Sequence, residues 1–385
     1  MIIEFEGANK VREVINRTEY LESYIPENDK TPVWDGFIMV YNNSKIPHAK
    51  KDIKGRVSVQ VKGHKVEDFP DGNFKFPIEL SDLKAFLTEG GAIFFVVAIT
   101  QDYKKKVFHK VLLPLDIERI IQKHSDQQTV SIQFDPFPTD NGTIISIFLN
   151  FLANRSKQTS TVDFKKLFLE DWTRDNHNQT RNYTIPMTVF NDPDKTFFEL
   201  ITSIPQYLYI THEEFQHIQV PVDRMDNISI GEDRKGSIKV DNNEHYTEYK
   251  IVWHKGNFSF HFGKGLSMNF KRVNGGDEKN GYEVNVSLNI KGTLKERIRD
   301  VEFFLSYIEN EEVSINTVKF PLHINYEMDI DKINSFNEIY KSLIDIQIKL
   351  NELDVSEDLD IDMLVDEEAW KLDELVRIGD KKKGC

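Results

Sequence analysis

Trp34-Asp35-Gly36 and Val59-Gln60-Val61-Lys62-Gly63 hold the residues whose types and spacing could do chemistry. Side chains alternate along a strand, so Val57, Val59 and Val61 point one way and Ser58, Gln60 and Lys62 the other. With the valines toward a core, Gln60 and Lys62 stand side by side on the open face. If the segment carrying Asp35 pairs beside them, a carboxylate, an amide oxygen and an ammonium converge. Asp35 is a hard, charged ligand suited to Mg²⁺ or Mn²⁺, and the amide oxygen of Gln60 adds a neutral one. Lys62 is then placed to orient or deprotonate an attacking water and to stabilise charge on a phosphodiester in its transition state.

The elements that must position these groups can be read around them. Residues 33–41 (VWDGFIMVY) and 56–63 (RVSVQVKG) have the β-branched and aromatic content of strands. Ser81 can cap a short helix with Leu83, Phe86 and Leu87 on one face, closed by Gly90-Gly91. Residues 92–100 (AIFFVVAIT) are apolar on both faces, as a covered central strand would be. Residues 115–123 read as an amphipathic helix with Ile117, Ile120 and Ile121 inward. From about 125 to 290 the texture is β-rich, with strands expected near 245–253, 257–262, 266–273 and 281–290 and a turn at Asn274-Gly275-Gly276-Asp277. Thr293-Leu294-Lys295-Glu296 is a capping box opening a helix. Beyond it, Ile339, Leu343, Ile346 and Leu350 form one helical stripe, and a last helix could carry Leu364, Trp370 and Leu372.

An acidic residue on one strand, a (D/E/Q)xK on the next, then a helix and an apolar strand resemble the PD-(D/E)xK, restriction-endonuclease-like nuclease superfamily. Gln60-Val61-Lys62 resembles its Mrr-like QxK branch. The run from Asn28 to Gly36, with Val59–Gly63 after it, is similar to an uncharacterised bacterial family of that superfamily. The resemblance covers residues 1–125. It implies an αβββαβ core, Asp35, Gln60 and Lys62 as catalytic residues, Asp35 and Gln60 as ligands of Mg²⁺ or Mn²⁺, and cleavage of DNA. Such domains are associated with bacterial defence against phage. Many members add an acidic residue from the helix before the first strand; Glu13, Glu19 and Glu22 are the candidates here. The helical stretch read at that place is short, about residues 9–16. The segment 41–55 is a long hairpin insertion, and Lys50, Lys51, Lys54 and nearby Arg56 either hold a DNA backbone or line a solvated loop. Inactive relatives of nucleases serve as binding domains, so a non-catalytic scaffold is the alternative.

The fold expected is thus a multidomain α+β chain: a nuclease-like domain over 1–125, a β-rich recognition or regulatory domain over 126–324, and an acidic helical tail over 325–385. The chain has 385 residues and one cysteine, Cys385, which excludes a disulfide scaffold and a cysteine zinc site. The start Met-Ile-Ile-Glu-Phe-Glu is unlike a signal peptide, and a cytoplasmic protein without membrane partners is expected. A net charge of −14 argues against nucleic acid when taken globally. Regionally it does not: residues 1–124 carry 19 Lys/Arg against 18 Asp/Glu, and residues 325–385 carry 8 against 17. The middle region or the tail stripe would hold a protein partner or a second copy of the chain.

Other motifs carry less. His212 and His217 are spaced i, i+5, one too many for a zincin helix. Gly263-Lys264-Gly265 lacks the strand–loop–helix context of a phosphate loop and reads as a turn. Asp358, Asp360 and Asp362 have calcium-like spacing without the remaining EF-hand ligands, so a solvated acidic face is expected. Trp34 reads as a packing residue.

Overall fold

The computed structural model describes residues 2–26, 33–159, 182–211, 219–273, 281–310, 312–321 and 330–363. The turn at 274–277, the His212/His217 pair and the expected helix around Leu364–Leu372 lie outside the described residues. The chain is mixed α/β and divides into two compact units, Met1–Ile228 and Ser229–Cys385. Among the described residues no helix is long and apolar enough to cross a membrane.

The first unit opens with helix α1 (Ile2–Ile15), strands β1 (Leu21–Tyr24), β2 (Gly36–Tyr41), β3 (Ile53–Lys65) and β4 (Phe74–Glu79), helix α2 (Leu80–Thr88) and strand β5 (Ala92–Ile99). Strand β6 (Lys105–Leu112), helix α3 (Pro114–Lys123), strand β7 (Thr129–Pro136) and helix α4 (Asn141–Thr159) follow. The strands form one sheet in the order β1-β2-β3-β5-β6-β7-β4. Only β3 and β5 run parallel, since helix α2 carries the chain between them. All eight residues of β5 are buried, which is why the segment reads as an unbroken apolar run.

Each face of the sheet has its own core. Val57, Val59 and Val61 pack with Val11 and Ile15 of α1 and with Ile144, Phe148 and Phe151 of α4. Phe94, Val96 and Ala98 pack on the other side with Leu83 and Phe86 of α2. Helix α1 is longer than its polar pattern indicates, and it lies close against β3. A Cβ at Gly63 would run into the backbone of Ile3, so this crossing requires glycine. Helix α2 starts at Leu80 after Glu79 rather than at a Ser81 cap, and Gly91 N–H closes it on Phe86 O at 2.8 Å.

The first unit does not end near 125. Strand β7 completes the first sheet, and α4 forms half of one core, so the boundary expected there falls inside a packed layer. A second, three-stranded sheet, β10-β9-β8 (Gln219–Met225, Gln206–Thr211 and Asn182–Thr184), belongs to the same unit, as does helix α5 (Phe197–Ser203). It is joined to α4 through buried amides. Asn150 Nδ2 donates to Gln206 Oε1 at 3.2 Å, Tyr209 Oη to Asn154 Oδ1 at 2.8 Å, and Gln158 Nε2 to Tyr209 Oη at 3.3 Å, while Gln158 Oε1 ties α4 to α3 by accepting Leu115 N–H at 3.0 Å. Such a satisfied network fixes one docking of α4 where apolar contacts would tolerate several.

His109 of β6 is buried, with Nδ1 3.2 Å from Asp135 O. Burial, followed by the nearby Arg224 and Lys110 charges, lowers its pKa from 6.5 to about 4, against a raising contribution from Asp135 O. Because the unfolded chain binds this proton more readily, acid favours unfolding. Stability should be unaffected above the unfolded pKa and fall by up to about 3 kcal/mol as pH drops from 6.5 to about 4. Urea midpoints across that range should slope less for His109→Phe than for the native chain; parallel slopes would contradict the assignment.

The second unit is built on a seven-stranded antiparallel sheet in the order β15-β14-β13-β12-β11-β16-β17. Strands β11 to β15 (Ser229–Val240, Asn243–His254, Asn257–Phe262, Leu266–Val273 and Gly281–Leu288) form an antiparallel meander, the last four near the strands expected and β11 in addition to them. Gly263-Lys264-Gly265 is the turn between β13 and β14. One face is aromatic, with Phe260, Phe262 and Phe270 buried; the other bears Lys250, His261 and Ser259. Helix α6 (Leu294–Asn310) opens on the expected capping box, Thr293 N–H to Glu296 at 2.9 Å and Glu296 N–H to Thr293 Oγ1 at 3.3 Å. Strands β16 (Glu312–Ile315) and β17 (Val318–Pro321) and helix α7 (Ile330–Glu352) complete the unit.

The acidic segment is not a detached tail within its described part. Leu343, Ile346 and Leu350 of α7 share a core with Leu294 and Val301 of α6. Asp358 and Asp362 are exposed, as expected of a solvated acidic face, but they also bond back to the chain. Asp358 Oδ1 accepts Lys295 N–H at 3.1 Å, Asp362 Oδ2 accepts Gly292 N–H at 2.6 Å, and Asp362 Oδ1 meets Arg297 at 2.6 Å. They satisfy the Lys295 N–H in the first turn of α6 and the Gly292 N–H just before it, where negative charge is favourable.

Candidate functional site

The pairing of β2 with β3 decides whether the three chemically active side chains meet. Gly36 lies opposite Val59, and Asp35, just before the strand, donates its N–H to Val59 O at 3.1 Å. This puts Asp35 beside Gln60. Gly36 has φ +141°, and a Cβ there would run into the carbonyl of Tyr24. The glycine therefore lets the chain turn from Asp35 into β2 under the β1 backbone. Asp35 does not merely project from the surface: its Oδ2 accepts the Val61 N–H at 2.7 Å, holding the carboxylate against β3.

Gln60 and Lys62 alternate with the core valines, as the sequence indicates. In the parallel register Gln60 lies beside Phe94 and Lys62 beside Val96, so the face expected to be open is instead covered in part by α2, whose Leu83 and Phe86 build a second core there. Gln60 is only 6% exposed, and its Oε1 has no hydrogen-bond partner among the described residues. A buried amide oxygen left this way costs about 1–3 kcal/mol, so its retention asks for a use. Lys62 is half-buried two residues further along the strand, about 7 Å away. Trp34 packs on Phe86 at 5.0 Å, in the packing role expected of it.

A fourth group joins from α2. Asp82, half-buried in the first turn, has its carboxyl pushed up by burial and by Glu79, while the Lys62 ammonium draws it back down. The site therefore has Asp35 and Gln60 side by side, with Lys62 further along β3 and the Asp82 carboxyl within reach of its charge but not paired to it. Sequence reading passes over Asp82 because an aspartate in a first helical turn is ordinary. Its one signal is the spacing to Phe86, which puts both on the same helical face.

The acidic candidates from the N-terminal region do not join this group. Glu13 lies on α1, across the sheet, and is paired with Lys10 and Arg17. Glu19 is exposed in the turn after α1. Glu22 does share the Asp35 face, but it stands opposite Met39, and its carboxylate accepts Tyr41 Oη at 2.7 Å. Met39 in turn lies opposite Arg56, four residues or about 13 Å from Gln60.

The hairpin lysines lie at the other end of β3. Lys50, Lys51 and Lys54 are exposed, and Lys54 is eight residues, about 26 Å, from Lys62. Asp52 organises the loop by accepting Ala49 N–H at 3.0 Å and Asn43 Nδ2 at 2.8 Å, which lowers its pKa. Arg56 places its guanidinium 5.3 Å from the Phe37 ring.

Asp35 and the unpartnered Gln60 oxygen are hard donors that fit a small divalent cation. Among the described residues no three or more His, Cys, Asp or Glu side chains gather to hold a metal. An ion here would rest on two protein oxygens and keep several waters, the habit of Mg²⁺. Comparison with protein-family models, curated proteins and solved structures gave no match for this chain.

Proposed function

We propose that the first unit is a divalent-metal-dependent nuclease domain that hydrolyses phosphodiester bonds of DNA. The observation carrying this reading is the buried, unpartnered Gln60 oxygen between Asp35 and Lys62 on one sheet face. The order α1-β1-β2-β3, then α2 and β5, supports it as an αβββαβ core with β4 added.

In this reading Asp35 and Gln60 would hold Mg²⁺ or Mn²⁺, which would supply Lewis acidity toward a phosphodiester. Lys62 brings an ammonium to the negative charge that grows on the phosphoryl oxygens. Asp82 adds a negative charge in the neighbourhood of that ammonium. Val61 N–H fixes the Asp35 carboxylate, so its orientation is set before substrate arrives. The net charge near zero of residues 1–124 and the lysine hairpin admit a polyanion.

Incubation with plasmid and single-stranded DNA in Mg²⁺ or Mn²⁺ should give cleavage that a chelator abolishes. Lys62→Ala and Asp35→Ala should each lower the rate by about 100-fold or more. Equal cutting by the native chain and both variants would refute the assignment. A second reading, a nuclease-fold binding protein without catalysis, draws on the Val61 N–H that already occupies one Asp35 oxygen. Calorimetry showing no Mg²⁺ or Mn²⁺ uptake, together with no cleavage, would favour it.

A further inference from the structure

We propose that Tyr24, Phe37 and Arg56 form a stacking platform for an unpaired nucleobase, making single-stranded nucleic acid the substrate class of the adjacent site. The inference rests on the nuclease reading for its function, but on separate residues for its geometry. Tyr24 ends β1, the outermost strand of the first sheet. Its ring stacks on Phe37 with centroids 5.0 Å apart and an interplanar angle of 16°. Phe37 is in turn approached by the Arg56 guanidinium at 5.3 Å. The three groups thus step across β1, β2 and β3 as one stack.

Tyr24 is 42% exposed although one side of its ring lies on Phe37, so the opposite side and edge carry the exposure. The ring is also held in place by its stack on Phe37, while the Glu22 carboxylate near its hydroxyl raises the Tyr24 pKa and accepts Tyr41 Oη. An aromatic ring packed on one face with the other toward solvent is prepared for a planar partner, because little rotamer freedom remains to be lost on binding. Continuing the stack outward requires a flat ring, and a nucleobase has one.

The surroundings select the rest of the ligand. Phe37 is two residues, about 7 Å, from Asp35, and Tyr24 stands 5.0 Å beyond Phe37, so a base outside Tyr24 lies about two nucleotides from the Asp35–Gln60–Lys62 group. In the other direction Arg56 and Lys54 lead to Lys50 and Lys51, a run of exposed cations for the backbone beyond. In a duplex, neighbouring pairs already cover both faces of each base. Only an unpaired base can enter the stack, and aromatic–base stacking tolerates any sequence.

The test reads binding without catalysis. Fluorescein-labelled oligothymidylate and oligouridylate of about 15 nucleotides, and a duplex of the same length, are titrated with the full chain in EDTA by anisotropy. At least one single strand should bind more tightly than the duplex. Tyr24→Ala and Tyr24→Leu should weaken single-strand binding by about tenfold, Tyr24→Phe should hold it near the native value, and duplex binding should not move. Tyr24→Leu retains apolar cover for Phe37, so loss in that variant reports the missing π-face and not an opened sheet edge. Unchanged single-strand binding in both Tyr24→Ala and Tyr24→Leu, or native preference for duplex, would overturn the proposal. If Tyr24→Leu weakens binding while the native chain never cleaves with metal, the platform stands and the nuclease reading falls.

Discussion

Replacing Asp116 by alanine should destabilise the first unit by about 3 kcal/mol, the largest effect expected of any single truncation considered. Asp116 is 8% exposed, and one carboxylate oxygen serves three partners: Tyr207 Oη at 2.6 Å, Leu113 N–H at 3.2 Å and Arg224 Nη1 at 3.2 Å. Burial opposes the Arg224 charge, but Asp116 leads Tyr207 and Asp226 in outweighing it, and the guanidinium stays protonated. Removing the carboxylate strands this cation in the interior and uncaps α3. Asp226 at 2.8 Å and Val111 O at 3.1 Å remain to Arg224, which keeps the loss near the lower end of the range for a broken buried pair. Asp116→Asn retains shape and hydrogen-bonding capacity and should lose less. Hydrogen exchange of the β5 amides, in the fully buried strand, reports global opening of this unit. A loss below about 1 kcal/mol would show that the pair is nearly neutral against its desolvation cost.

Gln60→Met should act in opposite directions on stability and activity. The substitution removes a buried oxygen without a partner and fills similar volume with an apolar side chain, so the first unit should gain about 1 kcal/mol. The same change removes one of two proposed metal donors, and cleavage should fall by about 100-fold. A residue that lowers stability yet supports activity is the pattern of a functional site. Denaturation in urea and the cleavage assay, run on one preparation, separate the outcomes. A destabilised variant with full activity would make Gln60 an ordinary packing residue.

Much of the candidate site is legible in the sequence because strand alternation is rigid. Once Val57, Val59 and Val61 are taken as buried, Gln60 and Lys62 must share the opposite face, and they do. The meander of the second unit is equally plain, with strands at 257–262 and 266–273 matching residue for residue. Helix α4 is harder. Asn150, Asn154 and Gln158 are polar residues at helical spacing that would mark a solvent stripe, yet all three are buried in a hydrogen-bonded network. With residues 142–151 buried all round, periodicity cannot assign the helix to its layer, and the expected domain boundary fell in the wrong place. Asp82 comes near the Lys62 charge only because Leu83 and Phe86 pack α2 on that face, and its spacing to Phe86 is the one local trace of this.

The aspartates after α7 have a consequence for how the second unit could arise by inheritance. They seal the first turn of α6, whose own sequence lies some 65 residues earlier, while α7 supplies part of the same core. Ser229 to at least Met363 is therefore indivisible under recombination. A crossover near residue 325 would deliver a helix without its seal to one offspring and a seal without its helix to the other. The acidity of this segment was not appended to a finished domain; it is distributed through one that closes only when its last described residues are in place.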